Sequence, residues 1–222
     1  MADSVFCQLP WVSLAIRNNG DYRVCCHANT SPGRGLLQGS GHERLNAATT
    51  GLDEARNSET LKKIRRNMLE GRWPESCVRC QREEASGMRS KRIYSRDMLP
   101  SQFDETWARA LTESDGSLPL DRAPLVDMDV RFGNKCNLAC RMCGPSDSSS
   151  WIDDHEKLGR RFEATGFDWH EKPAFWESLE SRARDLRHIY IVGGEPLLID
   201  RHYRFLRHLI DIGQAPQVTL EY

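Results

Sequence analysis

The chain has 222 residues, with 31 basic and 32 acidic side chains, and 39% of its residues are hydrophobic. Its formal net charge of −1 produces no field that favours nucleic acid or an anionic membrane surface. The first ten residues lack the basic start and apolar stretch of a signal peptide, and no apolar run is long enough to cross a bilayer. We therefore expect a cytoplasmic protein with neither a membrane nor a nucleic-acid partner.

Eight cysteines are clustered along the chain, which in a cytoplasmic protein indicates metal or redox chemistry more than disulfides. Scattered buried thiols are the alternative interpretation. The clustering predicts two cysteine-bearing domains, at 1–98 and 124–222, joined by a connector at 99–123 that lacks cysteine. The connector contains one predicted short helix at 105–111.

The first domain is predicted to open with a β-hairpin. Strand-like residues at 11–17 and 22–27 flank Asn18-Asn19-Gly20-Asp21, which tolerates positive φ. A helix is predicted at 59–70, where Ser58 can cap the start and Gly71 can end the helix. Its basic run at 62–66 can suggest nucleic acid, but we interpret it as the solvated face of an amphipathic helix.

The second domain alternates strands and helices. Strands are predicted at 126–132, 188–192 and 217–222, and helices at 151–162, 175–185 and 198–212. We expect Ser150 and Asp153 to form a capping box at the first of these helices. Strands separated by helices imply a parallel sheet with right-handed crossovers, and hence an α/β fold.

Three cysteines, Cys136, Cys140 and Cys143, stand within eight residues directly after the first strand of this domain. Three thiolates are one short of the four that close a structural zinc or iron–sulfur site, so one metal position stays open. Soft thiolates with this spacing favour an iron–sulfur cluster over a hard cation.

The pattern Cys-x3-Cys-x2-Cys after such a strand resembles the radical S-adenosylmethionine (SAM) enzymes. The resemblance extends to Gly193-Gly194-Glu195-Pro196, which is similar to the segment that contacts SAM in that family. It implies a 4Fe–4S cluster on the three cysteines and SAM against these four residues. Met142 departs from the family pattern, since many members carry an aromatic residue there.

The family resemblance also implies a reaction and an architecture. The reaction is reductive cleavage of SAM to a 5′-deoxyadenosyl radical that abstracts hydrogen from a peptide or small-molecule substrate, for peptide modification or dehydrogenation. An electron donor such as flavodoxin or ferredoxin would supply the electron. The architecture is the N-terminal half of a partial (β/α)6 TIM-like barrel, with three parallel strands and their helices. The sequence singles out no catalytic residue.

Four further cysteines, Cys7, Cys25, Cys77 and Cys80, are predicted to come from a hairpin and a loop. Their spacing resembles the twitch domain, a shorter relative of the SPASM domain, which implies a small α+β domain with an auxiliary 4Fe–4S cluster. Cys26 is an alternate ligand, since only one of two adjacent strand residues faces a given side. Structural zinc is the competing interpretation, with His27 as an alternate ligand.

Two departures from the family leave alternatives open. The cysteine-rich domain precedes the barrel, whereas in better-known members it follows. The chain also carries three predicted barrel strands where the family usually has six. Either the chain is a fragment, or a second chain completes the barrel, or the site is degenerate. The alternative function is a non-catalytic iron–sulfur or zinc-binding module for electron transfer or partner binding.

Overall fold

The computed structural model describes residues 4–28, 33–163 and 165–222. The chain combines helices with a five-stranded sheet, so the mixed α/β class predicted from the sequence is confirmed. It divides into two compact units. The first consists of Met1–Ala15, Tyr22–Leu45 and Asp53–Asp127, and the second of Ile16–Asp21, Asn46–Leu52 and Met128–Tyr222. Residues 99–123, the predicted connector, lie within the first unit, and the predicted boundaries at 98 and 123 remain predictions.

The first unit is mainly helical, with two short neighbouring strands. Its strands are β1 (Ser13–Ile16) and β2 (Tyr22–Arg23), and a 3-10 turn covers Glu75–Cys77. Its helices are α1 (Leu9–Val12), α2 (Leu52–Arg56), α3 (Glu59–Leu69), α4 (Val78–Ala85), α5 (Lys91–Met98) and α6 (Glu105–Leu111). In the described part of the chain, no helix is both long enough and apolar enough to span a membrane.

Helix α3 confirms the amphipathic helix predicted at this place. Its start is capped by Ser58, whose hydroxyl accepts a hydrogen bond from the Leu61 amide at 3.4 Å. Gly71 follows its end with φ +74°, a left-handed conformation that glycine adopts without steric cost. The basic run is not entirely solvated, however, because Arg65 is fully buried.

Two predictions about the first unit were wrong in detail. The hairpin strand begins at Ser13 and not at residue 11, because the residues around Pro10 form the short helix α1. The second cysteine pair was predicted on a loop, yet Cys77 ends a 3-10 turn and Cys80 lies within α4. A helix gives these two thiols a fixed spacing that a loop does not.

The second unit alternates strands and helices as predicted. Its strands are β3 (Asp127–Arg131), β4 (His188–Val192) and β5 (Thr219–Glu221), with β4 between the other two. Strands β4 and β5 are parallel, with Ile189 opposite Leu220. The helices are α7 (Ile152–Lys157), α8 (Pro173–Ser181) and α9 (Asp200–Asp211), and 3-10 turns cover Ser149–Trp151, Trp169–Glu171, Pro196–Leu198 and Ala215–Gln217.

An aromatic cluster forms the core of the second unit. Phe132, the residue after β3, stacks on Trp176 with ring centroids 5.2 Å apart, and Phe175 packs edge-on against Trp169 at 4.9 Å. All four side chains are buried. Burial of this much aromatic surface fixes the end of β3, and with it the loop that follows.

The helix predicted at 151–162 is shorter than expected. Helix α7 ends at Lys157, and Gly159 then adopts φ +70°, so the residues beyond it leave the helix axis. The predicted capping box is also wrong. No side chain caps α7 at its start, and the Ser150 hydroxyl instead donates to the carbonyl of Cys136 at 2.9 Å.

Candidate metal centres

Four cysteines of the first unit line one cavity. Cys7 precedes α1, Cys25 follows β2, and Cys77 and Cys80 stand three residues apart at the start of α4. Residues with this spacing lie on the same face of a helix. The structure therefore brings together the four thiols that the sequence assigned to an auxiliary cluster, and it builds the cavity from three separate segments.

Burial raises the pKa of three of these thiols. It raises the pKa of Cys7 to about 12 and that of Cys77 to about 11, and it raises the pKa of Cys25 as well. Neighbouring sulfurs add to the effect, since Cys77 and Cys80 both raise the pKa of Cys7. The thiols of Cys7, Cys25 and Cys77 therefore stay protonated at neutral pH unless a cation takes the place of the protons, which is the behaviour of a buried soft-metal site.

The lining distinguishes the two adjacent cysteines. Among the described residues, Cys25 lines the cavity and Cys26 does not. Arg23 holds this turn, because its guanidinium donates to the carbonyl of Cys25 at 2.7 Å and also to that of Cys26. This arrangement favours Cys25 over Cys26 as a ligand, and the assignment stays a prediction.

A positive side chain borders the same cavity. The Arg92 guanidinium donates to Glu84 Oε1 at 2.9 Å and to the carbonyl of Phe6 at 3.0 Å, and it lies 5.3 Å from the centroid of the Trp73 ring. These contacts hold the positively charged guanidinium beside the thiols, where it stabilises the negative charge of thiolates. No sequence motif indicated Arg92, which stands twelve residues beyond Cys80.

A histidine and a glutamate approach one of the four thiols. One ligand atom each from His27, Cys80 and Glu83 lies within 4.8 Å of the other two. His27 Nδ1 and Glu83 Oε2 are 3.9 Å apart. Burial, with the nearby Arg79 charge, lowers the pKa of His27. His27 was predicted as an alternate zinc ligand, whereas Glu83 was not predicted at all.

In the second unit, the three remaining cysteines lie on one loop after β3. Gly133 begins this loop with φ +65°, and a Cβ there would approach the Phe167 carbonyl oxygen to 2.2 Å. Cys140 is exposed, and Cys136 and Cys143 are half-buried. Partial burial, with Cys140 and Asp147 nearby, raises the pKa of the Cys143 thiol. The loop therefore carries one exposed and two half-buried cysteines.

Hydrogen bonds from one short segment hold the cysteine loop. Ser149 Oγ accepts from the Cys136 amide at 3.1 Å, and Ser148 Oγ donates to the Leu138 carbonyl at 2.6 Å. Trp151 Nε1 donates to the Cys140 carbonyl at 3.0 Å. Sequence reasoning missed this role, although the consecutive serines that precede Trp151 are a signal, because hydroxyls bond readily to nearby backbone.

The Gly193–Pro196 segment packs against the start of the cysteine loop. The Glu195 amide donates to the Lys135 carbonyl at 2.8 Å, and the Gly194 amide donates to that of Asp147 at 3.1 Å. A Cβ on Gly194 would come within 2.3 Å of the Lys135 oxygen, so only glycine allows this approach. The two motifs that the sequence singled out are thus neighbours in space.

Two side chains of these motifs have clear local roles. Glu195 Oε1 accepts from the Leu197 amide at 3.0 Å and so caps the turn that follows β4. Met142 is 95% exposed, so it fills no interior position in the second unit. The carboxylate of Glu195 still has a second oxygen for another donor.

Comparison with known proteins bears on the first unit. Residues 7–81 match the family model of SPASM, an iron–sulfur cluster-binding domain. The matched segment begins at Cys7 and ends one residue after Cys80, so it contains all four cavity cysteines. No curated protein and no solved structure matches the chain. The predicted SPASM-like domain is therefore supported, and the remaining two thirds of the chain have no counterpart in these comparisons.

Proposed function

We propose that this chain is a radical SAM enzyme whose catalytic cluster is held by Cys136, Cys140 and Cys143. The observation that carries the proposal is the contact between the two sequence motifs. Gly194 lies against the backbone of Lys135, the residue directly before the first cysteine. A cofactor held by the cysteine loop would therefore also contact the Gly193–Pro196 segment. SAM needs such an arrangement, because it would bind both the cluster and the protein.

The residues of the loop fit a cluster with three protein ligands. Three cysteines lie on one loop whose backbone is held by hydrogen bonds and which is partly open to solvent. When bound, the cluster supplies one electron that cleaves SAM to methionine and a 5′-deoxyadenosyl radical. We propose that the backbone at Gly193 and Gly194 lies close to SAM and that the Glu195 carboxylate accepts a hydrogen bond from the SAM ammonium group. Pro196 would make the turn rigid.

The first unit is proposed to hold an auxiliary 4Fe–4S cluster on Cys7, Cys25, Cys77 and Cys80. The match to an iron–sulfur cluster-binding domain and the shared cavity both support this assignment. Arg92 would offset part of the negative charge that four thiolates bring into a buried site. The auxiliary cluster would serve electron relay, substrate ligation or stabilisation of the unit.

The remaining features of the proposal follow from the chemistry and from the strand count. A radical enzyme of this class needs an electron donor such as flavodoxin or ferredoxin and a substrate that yields hydrogen, here a peptide or a small molecule. Strands β3, β4 and β5 would form the first half of a (β/α)6 barrel. A second chain or further residues would then cover β5, which otherwise leaves an unpaired edge.

The test is the cleavage of SAM by the reconstituted protein. Anaerobically reconstituted protein, incubated with SAM and dithionite, is expected to release 5′-deoxyadenosine, measured by liquid chromatography and mass spectrometry. The triple variant Cys136→Ala, Cys140→Ala, Cys143→Ala is expected to release none. Gly144→Ala serves as the control, because a Cβ there meets nothing within 4 Å. Equal release by the triple variant and the wild type would contradict the proposal.

A second candidate function is a non-catalytic iron–sulfur or zinc-binding module. It is favoured by the position of the family match, which covers the first unit and ends at residue 81. Under this function, the reconstituted protein would bind metal at the first unit and release no 5′-deoxyadenosine. Stoichiometric zinc without a brown chromophore in anaerobically purified protein would decide for this candidate.

A further inference from the structure

A second donor set in the first unit combines one of the cavity cysteines with a histidine and a glutamate. His27, Cys80 and Glu83 each place one ligand atom within 4.8 Å of the others. Ligands of one tetrahedral zinc ion lie about 3.6 Å apart, given metal–ligand bonds of about 2.0–2.3 Å. The separation of 3.9 Å between His27 Nδ1 and Glu83 Oε2 is already close to that value.

The His27 and Glu83 atoms that face each other are polar and buried. His27 Nδ1 and Glu83 Oε2 find no hydrogen-bond partner among the described residues. A buried donor or acceptor without a partner costs free energy, so native proteins rarely leave two of them side by side. The other oxygen of Glu83 accepts from Arg79 at 2.9 Å, which orients the carboxylate. A cation between the three groups would satisfy both atoms.

We propose that Cys80, His27 and Glu83 bind one divalent transition-metal ion of the zinc class. The donors are one thiolate, one imidazole and one carboxylate, and the fourth position is left to water, as in zinc sites with three protein ligands. Cys80 gives its thiol proton to solvent when the metal–sulfur bond forms. Neither His27 nor Glu83 changes its covalent structure.

This ion and a four-cysteine cluster exclude each other, because both require the sulfur of Cys80. The exclusion rests on the proposed auxiliary cluster, but the ion site does not. The competing arrangement is an ion held by all four cysteines, and it requires a different set of ligands. It needs Cys7 and Cys77, whereas the proposed site needs His27 and Glu83.

Cobalt(II) titration separates the two arrangements. The parent chain for it is the full chain with Cys136→Ala, Cys140→Ala and Cys143→Ala, freed of iron and sulfide and kept anaerobic, so that the cysteine loop of the second unit contributes no sulfur. The thiolate-to-cobalt charge-transfer band reports sulfur ligation, and its intensity relative to a tetrathiolate cobalt standard reports the number of sulfurs. The variants are Glu83→Gln, His27→Gln and Cys80→Ser, against Cys7→Ser and Cys77→Ser. Arg82→Gln is the matched control, since it removes an exposed arginine of the same helix and no ligand.

We expect the parent chain to show the band intensity of one sulfur. Affinity for cobalt should fall at least about tenfold in each of Glu83→Gln, His27→Gln and Cys80→Ser, and stay within about twofold in Cys7→Ser, Cys77→Ser and Arg82→Gln. Circular dichroism of each apo-variant identifies any that fails to fold, and zinc calorimetry on the folded ones repeats the comparison.

Three results would overturn the proposal: a four-sulfur band, lost binding in Cys7→Ser and Cys77→Ser, or unchanged binding in both Glu83→Gln and His27→Gln. Absence of cobalt binding by the parent chain would overturn it as well. Failure here is distinguishable from failure of the proposed enzyme. In the wild-type chain, Glu83→Gln and His27→Gln keep all seven predicted cluster cysteines and are expected to take up iron and sulfide as the wild type does.

Discussion

Arg65 lies fully inside the first unit, and backbone carbonyls surround its charge. Its guanidinium donates to the carbonyls of Arg56 at 2.6 Å, Pro10 at 2.9 Å and Gly116 at 3.1 Å. Burial, with the nearby charge of Arg56, lowers the pKa of Arg65. One side chain therefore joins three segments that are distant in sequence.

Replacement of this arginine should destabilise the protein strongly. In Arg65→Met the three carbonyls lose their donor inside the unit, and we expect a loss of about 3 kcal/mol in the free energy of unfolding. Urea denaturation measures it. Lys63→Met, on the exposed side of the same helix, should change the free energy by less than about 0.5 kcal/mol. Equal effects of the two variants would contradict this account of Arg65.

A single glycine links the two motifs of the second unit. In Gly194→Ala the added Cβ would meet the Lys135 oxygen at 2.3 Å, and φ of +50° is strained for alanine. We expect the cysteine loop to move, and the iron bound after reconstitution to fall by about half, as one of two clusters is lost. Gly144→Ala, in the same loop but in open space, should keep full iron content. Full iron in Gly194→Ala would show that the contact is not needed.

At the scale of elements, helix α9 buries a histidine whose titration should affect stability. His202 is fully buried, and its Nε2 lies 2.8 Å from the hydroxyl of Tyr222. Burial lowers the pKa of His202, and it also lowers that of His170 in the turn before α8. Protonation of either imidazole is therefore more favourable in the unfolded chain than in the folded one.

The sign of the pH dependence follows from these lowered pKa values. As pH falls through about 6.5, the unfolded chain takes up protons at both histidines before the folded chain does. We expect the free energy of unfolding to decrease from pH 7.5 to pH 5.5, by up to about 1.4 kcal/mol per pH unit and per histidine. The double variant His170→Gln, His202→Gln should show a flatter profile by urea denaturation. An unchanged slope would exclude these two groups as its source.

Elements with strong local signals were predictable from the sequence. Helices α3 and α6 and strand β4 lie where capping residues and alternating apolar residues indicated. Helix α1 was not predicted because Trp11 and Val12 are typical strand residues, although Pro10 in its first turn favours a helix. Helix α7 was predicted too long because the apolar residues at 158 and 162 continue the helical period beyond Gly159, which ends it.

In the candidate sites, too, local patterns were predictable from the sequence and contacts between distant segments were not. Local spacing grouped Cys77 with Cys80, and Cys136 with Cys140 and Cys143, and the resemblance to the twitch domain added Cys7 and Cys25 to the first pair. Arg92, Glu83 and Ser149 were not predictable, since each reaches its site through the fold and not through a motif. Residues that support a ligand are spread along the chain, and only their contacts in three dimensions identify them.

For the whole molecule, the structure presents two cysteine sites, one in each unit. The site in the first unit is a cavity built from three segments, and burial raises the pKa of the thiols of Cys7, Cys25 and Cys77. The site in the second unit is a single loop whose sulfurs are more exposed. This difference fits a closed auxiliary cluster in one unit and an open, cofactor-binding cluster in the other.

The most direct test of this account is to measure the iron and acid-labile sulfide content of the anaerobically reconstituted protein. The wild type should hold two 4Fe–4S clusters, with about eight iron atoms per chain. The triple alanine variant at Cys136, Cys140 and Cys143 should hold about four, and so should the double variant Cys7→Ser, Cys77→Ser. Undiminished iron in the triple variant would contradict the two-cluster account. About four iron atoms in the wild type, lost when only one of the two cysteine sets is replaced, would also contradict it.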